Sequence, residues 1–97
     1  MTKKKVSGKN GEAVVIFKLL SDANRYRSIG LLMRSKKALT VSDIAKALDM
    51  HHSATSHQLG SLHAKGIVQY KKNGREAHYM LGATPLAKRI ARIMKSV

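Results

Sequence analysis

A mainly α-helical domain with one small β-hairpin is what this chain predicts, and three observations predict it. Apolar residues recur at helical spacing in four separate stretches between 12 and 97. Asn73-Gly74 stands between two β-prone runs, a strong short-range hairpin signal. Between them, Thr40 to Gly66 reads as two short helices joined by a tight break.

The 97 residues allow one domain, here residues 11–97 behind a basic arm at residues 1–10. The arm, MTKKKVSGKN, is read as flexible and able to touch phosphates; it has no apolar stretch of signal-peptide length. Apolar residues make up 43% of the chain, enough for a small aliphatic core that association with a second copy would help to stabilise. Nineteen Lys and Arg against five acids give +14, which points to a polyanion, nucleic acid ahead of a membrane surface. A merely solubilising surface usually mixes both signs. The absence of cysteine removes thiol catalysis, disulfides and thiolate metal sites and fits a reducing cytoplasm. No apolar run approaches the roughly 20 residues that span a bilayer.

The first helix is expected at EAVVIFKLL, Glu12–Leu20, starting as early as Asn10. It is apolar nearly all round, so it is buried on more than one side. In so small a domain one side, with Val14, Val15 and Phe17, is expected to meet a second subunit. Ser21 to Asn24 breaks the chain with capping residues. A second helix over Arg25–Met33 carries a core stripe of Tyr26, Ile29, Leu32 and Met33. Gly30 within it suggests a close helix crossing.

Thr40-Val-Ser-Asp43 has the spacing of a capping box and opens a third helix with Ile44, Ala47 and Leu48 inward. Asp49-Met50 is the turn, with Asp49 as the residue that accepts a left-handed backbone. A fourth helix over about 52–64 turns Leu59 and Leu62 inward, which leaves His52 at the leading edge of an outer face of Ser53, Ser56, His57 and Gly60. That i, i+3, i+4, i+7 face carries donors and acceptors without bulk and suits a DNA major groove. Ordinary solvated faces favour Lys and Glu, and this one has neither. Lys65-Gly66 ends the helix. The hairpin follows at about 67–81, with Asn73-Gly74 as its loop, Tyr70 opposite Ala77 and Val68 opposite Tyr79. Its tip carries Lys71, Lys72 and Arg75, the make-up of a basic wing beside a reading helix. Thr84-Pro85 caps a last helix whose apolar stripe, Leu86, Ile90, Ile93 and Met94, is assigned to the dimer interface; docking on its own subunit is the alternative.

The order helix-helix-helix-turn-helix-wing-helix, with FKLLSDANRYRSIGLL, the Ser56-His57-Gln58-Leu59 core and NGREAHYML, resembles the ArsR/SmtB family of dimeric winged-helix repressors over about residues 12–81. The resemblance implies a cytoplasmic homodimer that represses a palindromic double-stranded DNA operator. It implies that the positions of His52, Ser53, Ser56 and His57 approach bases. It implies that the wing and the start of the preceding helix, Val41 and Ser42, approach the backbone, and that the first and last helices dimerise. The chain departs from the family where effectors act. The cysteine pair of the third helix is absent, and Pro85–Val97 holds no His, Asp or Glu for a last-helix metal site. No cofactor and no metal are therefore expected, and the effector is left open. The five histidines contain no i, i+4 pair on one helix; their protonation between about pH 5 and 7 would add charge facing phosphates.

Two other functions compete. A winged-helix module that binds nucleic acid without choosing sequence, architectural or RNA-associated, explains the charge equally well, but it would place Lys and Arg on the reading face. An enzyme would need an acid pair, a thiol or a glycine-rich phosphate loop, and none is present.

Overall fold

The computed structural model describes residues 8–96, and side chains from residue 11. Five helices and three short strands follow one another as α1 (Gly8–Leu20), α2 (Ala23–Arg34), β1 (Leu39–Thr40), α3 (Val41–Leu48), α4 (His52–Ala64), β2 (Val68–Asn73), β3 (Glu76–Leu81) and α5 (Pro85–Lys95). The sheet is antiparallel in the order β1-β3-β2, so the hairpin has a third, two-residue strand against its return arm. Residues 1–7 of the expected basic arm lie outside the described residues; its last three residues are already the start of α1.

Local chemistry sets most boundaries. Asp22 caps α2 by accepting the Arg25 amide at 3.0 Å. The α3 capping box is complete: the Thr40 hydroxyl accepts from the Asp43 amide and the Asp43 carboxylate accepts from the Thr40 amide, both at 3.0 Å. Asp49 ends α3 in the left-handed region at φ 55°. At the end of α4, Gly66 takes φ +77°, its amide donates to His63 O, and the Ile67 amide donates to Leu62 O. That is a Schellman closure, and the side chains of Leu62 and Ile67 that accompany it are fully buried. Thr84 caps α5 through the Ala87 amide at 3.1 Å, with Pro85 at the first helical position.

The core gathers Ile16 and Leu19 of α1, Ile29 and Leu32 of α2, Ile44 and Leu48 of α3, Leu59 and Leu62 of α4, Ile67, Val68 and Tyr79 of the hairpin region and Ile90 of α5. Each fully buried aliphatic side chain stabilises by roughly 1.5–3 kcal/mol relative to exposure. Two buried hydroxyls enter it without cost: Thr55 donates to His51 O at 2.8 Å, and Ser28 bonds the Gln58 side chain.

Four expectations are corrected. The hairpin loop is Gly74-Arg75, closed by Asn73 opposite Glu76, so Tyr70 faces Tyr79 and Val68 faces Leu81. An Asn-Gly loop of the favoured kind needs positive φ at both central residues. Here Gly74 alone takes it, at +69°. The register moves by two residues, so every side chain keeps its face. On α3 the inward residue is Ala45, and Ala47 is exposed. On α2 Tyr26 is 41% exposed, and Ser28 and Gly30 are buried in its place. Gly30 marks no helix crossing: a Cβ there would meet only side-chain tips, Arg34 Nη1 at 3.2 Å and Met94 Cε at 3.6 Å.

Gly82 differs. A Cβ at Gly82 would lie 2.7 Å from Gly66 O and 3.0 Å from Ile67 O, both backbone atoms. Gly82→Ala is expected to destabilise by about 1–3 kcal/mol, as overpacking does, and Gly30→Ala to stabilise by about 0.5–1 kcal/mol through helix propensity. Denaturant midpoints of the two variants check both signs; equal losses would contradict the difference in their surroundings.

Candidate nucleic-acid interface

The outer face of α4 exists because its inner face is fully used. Thr55, Leu59 and Leu62 point into the core, and α4's helical period then turns Ser53, Ser56, His57 and Gly60 to solvent. Among the described residues, the side chains of Ser53, Ser56 and His57 have no hydrogen-bond partner in the protein, so their donors and acceptors are available. A Cβ at Gly60 would meet nothing within 4 Å, so this glycine leaves a gap in the side-chain layer.

The hairpin and α3 stand beside that face. A cleft of about 150 Å³ is lined by Val41 and Ser42 at the start of α3, His52 at the start of α4, and Arg75 and Glu76 of the hairpin. The structure thus brings together four of the residues predicted to contact DNA: Val41, Ser42, His52 and Arg75. Lys71 and Lys72 are exposed on β2, away from the lining of this cleft. Glu76 Oε1 lies 3.8 Å from His78 Nε2. The wing is stiffened from below by aromatic contacts. The His63 and Tyr70 rings are 4.8 Å apart and those of Tyr70 and Tyr79 5.1 Å, between centroids. Burial raises the Tyr79 phenol above its ordinary range, so it stays neutral.

Three residues that position this face escaped the sequence reading. Gln58 points inward, and its amide meets Ser28 of α2 at 3.3–3.4 Å. Arg27 of α2 donates through Nη2 to Leu48 O, the carbonyl at the end of α3, at 2.6 Å. Arg25 donates through Nε to Leu19 O at the end of α1, at 3.0 Å. Both guanidinium groups sit where helix dipoles favour a cation. The Gln58 and Arg27 contacts span 30 and 21 positions and the Arg25 contact reaches back six residues across the α1–α2 break, so no short motif marks them. The usable signal was that Ser28 falls among the apolar positions of α2.

The predicted dimer residues divide. Val14, Val15 and Phe17 are exposed, Phe17 to 66%. Leu86, Ile93 and Met94 are half-buried, whereas Ile90 is fully buried in its own chain and offers no surface to a partner. Arg89 Nη1 binds Glu12 Oε1 at 2.8 Å, which holds α5 beside α1. Among the described residues no three His, Asp or Glu lie together as a metal-binding group, and no helix is long and apolar enough to cross a membrane.

The family described as bacterial regulatory protein, arsR family, matches residues 22–70, from the cap of α2 into β2. The cadmium resistance transcriptional regulatory protein CadC of Listeria innocua is 38% identical over 65 residues, 67% of this chain and 54% of the relative. A transcriptional repressor SmtB homolog of Synechocystis is also 38% identical over 65 residues, 67% of this chain and 48% of the relative. The chain thus spans about half the length of the curated relatives it matches. The crystal structure of the AntR antimony-specific transcriptional repressor is 30% identical, covers 99% of this chain and 86% of its own, and superposes with a TM-score of 0.75.

Two predictions concern how α3 and α4 are anchored. His51 is the N-cap of α4 but makes no side-chain capping bond. His51→Ser is expected to raise stability by about 1 kcal/mol, read from denaturant unfolding. Hydrogen bonds from the Thr40 backbone and hydroxyl groups hold the Asp43 carboxyl below its ordinary value. A depressed carboxyl contributes stability that is present above its unfolded value near about 4 and is lost as pH falls through the folded value. Thermal midpoints between pH 5 and 3 should therefore drop more in the natural chain than in Asp43→Asn.

Proposed function

The chain belongs to the ArsR family of bacterial regulatory proteins, and from that premise we propose that it is a homodimeric transcriptional repressor that reads a palindromic double-stranded DNA operator. The observation that carries this reading is the small, neutral, unpartnered face of Ser53, Ser56, His57 and Gly60, flanked by cationic and helix-terminal groups. Serine and histidine at those positions exchange hydrogen bonds with base edges in a major groove. His52, Ser42 and the Val41 amide, at the starts of α4 and α3, lie beside Arg75 around one cleft, where a phosphate would meet two helix N-termini and a guanidinium. Lys71 and Lys72 extend that charge along the wing.

Two copies supply two reading helices, as a palindrome requires. The exposed Val14, Val15 and Phe17 on α1, next to the half-buried Leu86, Ile93 and Met94 on α5, are the apolar surface assigned to the second copy. Ile90 supports that surface from within its own chain. CadC is named for cadmium resistance and AntR for antimony. This chain has no cysteine, and no such metal response is carried over to it. The cytoplasm is the compartment that holds its DNA.

The deciding experiment is selection of bound duplexes from a random pool. A palindromic consensus supports the reading, and an enriched pool without consensus points instead to the sequence-independent module. On the selected site, Arg75→Ala is expected to weaken operator and random DNA alike. Ser56→Ala or His57→Ala should cost roughly 1–3 kcal/mol on the operator alone. The reverse pattern, in anisotropy titrations at fixed salt, would exchange the roles of helix and wing. With six or more phosphate contacts per dimer, raising salt from about 50 to 200 mM should cost about three orders of magnitude in affinity.

A further inference from the structure

A cavity of about 300 Å³ opens between α2, the end of α3 and α5 and shares no lining residue with the cleft at the start of α3. Its size is at the lower end of the range for small-molecule sites. Met33, Leu48 and Met94 give it apolar walls, with the Met94 methyl turned toward Gly30 at the edge of the α5 surface assigned to the second copy; Tyr26 adds a ring, and Arg27 and Arg34 bring two guanidinium groups. We propose that this cavity binds a small organic monocarboxylate with an apolar body, and that binding loosens the joint between α3 and α4. The second half rests on the DNA-binding reading above.

Charge selects the head group. Among the described residues Arg34 has neither a hydrogen-bond partner nor a carboxylate partner. Arg27 donates only to neutral oxygens, Asn24 Oδ1 at 3.3 Å and Leu48 O at 2.6 Å. Asp22 pairs with Arg25 and Glu12 with Arg89, and Asp49, which follows the lining residue Leu48, is exposed and not part of the lining. Two guanidinium groups beside one cavity, without an acid, fit a carboxylate that each can bind through a fork of N–H donors. Inorganic phosphate would satisfy the charge but leave Met33, Leu48 and Met94 against water. An aromatic or alicyclic body fills that space and meets the methionine sulfurs favourably.

Gly30 supplies the room. A glycine inside a helix is about 1 kcal/mol less favourable than alanine, and neither a backbone approach nor a positive φ requires it here. A larger side chain at this position would project into the cavity toward Met94.

Arg27 supplies the link to DNA. Its Nη2 satisfies the carbonyl of Leu48, the last residue of α3, and the next residue is Asp49 in its left-handed conformation. A carboxylate shared by Arg27 and Arg34 competes for that donor. Once it is withdrawn, a helix-terminal carbonyl is orphaned at the joint that sets the position of α4.

The test uses the full chain, first without DNA. Amide spectra at constant pH and ionic strength are followed while benzoate, phenylacetate or cyclohexanecarboxylate is added, with benzyl alcohol and inorganic phosphate as controls. Saturable shifts at Gly30, Leu48 and Asp49 with at least one acid and neither control are expected, and Gly30→Leu and Arg34→Gln should each abolish them. Arg34→Gln keeps the test valid if Gly30→Leu does not fold. In anisotropy titrations on the selected duplex, the same acid should weaken the natural chain at least tenfold and leave Arg34→Gln unchanged. Shifts absent with all three acids, equal shifts with benzyl alcohol, or shifts confined to His52, His57 and Arg75 would overturn the site. Shifts at the cavity with unchanged duplex affinity would overturn the coupling. A chain that takes up the acid but selects no duplex would sink the repressor reading and leave the site standing.

Discussion

One hydroxyl fixes where the reading helix, the wing and the last helix stand. Thr84 Oγ1 donates to Gly66 O at 2.6 Å and accepts from the Ala87 amide at 3.1 Å. It therefore binds the residue that ends α4 to the residue that starts α5. The Gly82 amide donates to Ile67 O at 2.8 Å beside it, tying the exit of β3 to the entry of β2. Four chain ends meet within these few bonds, and side-chain bulk is excluded because Gly82 lies against two carbonyls. Behind the knot sit Leu62, Ile67 and Ile90, all fully buried. The basic tip of the wing and the polar face of α4 are thereby presented as one surface, since neither can rotate without opening a junction that is packed and hydrogen-bonded at once.

The second centre is α2, through which every other helix of the first half is positioned. It caps α1 through Arg25, caps α3 through Arg27 and holds α4 through Ser28 and Gln58. Part of the large positive charge is thus structural: these guanidinium groups complete helix ends, and Arg89 ties α5 to α1. Among the described residues, exposed lysines and arginines stand on the wing, on the loop after α2 and on α5. On the proposed reading discrimination falls to α4, whose exposed face carries no Lys or Arg before Lys65. That reading gives affinity and choice of sequence to different elements, because phosphate contacts carry no sequence information and base edges carry little net charge.

What could be read from the chain was whatever depends on residues within about four positions. The Thr40–Asp43 box, the Thr84-Pro85 start, the Lys65-Gly66 stop and the inward Leu59 and Leu62 are of that kind. So is the outward face of Ser53, Ser56, His57 and Gly60, since a helical period and two buried leucines leave no other place for it. The loop of the hairpin was misread because Asn73-Gly74 and Gly74-Arg75 are both acceptable two-residue turns. The choice depends on how β3 pairs elsewhere, and β1, too short to be read as a strand, pairs with it through Leu39 and Tyr79. Ser28–Gln58 spans 30 positions and Arg27–Leu48 spans 21. Such contacts are decided by tertiary packing, which overrides local preference and leaves no spacing to recognise.

These long-range bonds matter most at the joint between α3 and α4. Locally the joint is closed by two backbone bonds, the Asp49 amide donating to Lys46 O at 3.3 Å and the Met50 amide to Ala45 O at 2.9 Å. Asp49 occupies a left-handed conformation that disfavours side chains, and His51 begins α4 without a capping bond. At the start of α4 the Thr55 hydroxyl donates to His51 O at 2.8 Å. Two further bonds reach in from α2: Arg27 to Leu48 O on one side of the joint, Gln58 to Ser28 on the other. A single hydrogen bond contributes only about 0.5–1.5 kcal/mol net, so small changes at α2 are comparable with what fixes the reading helix. The far end of α4 is tied at Gly66 to Thr84, and its near half is tied to α2 through Gln58 and through the Leu48 carbonyl. His52, Ser53 and Ser56, nearest the joint, are also the residues assigned to the bases.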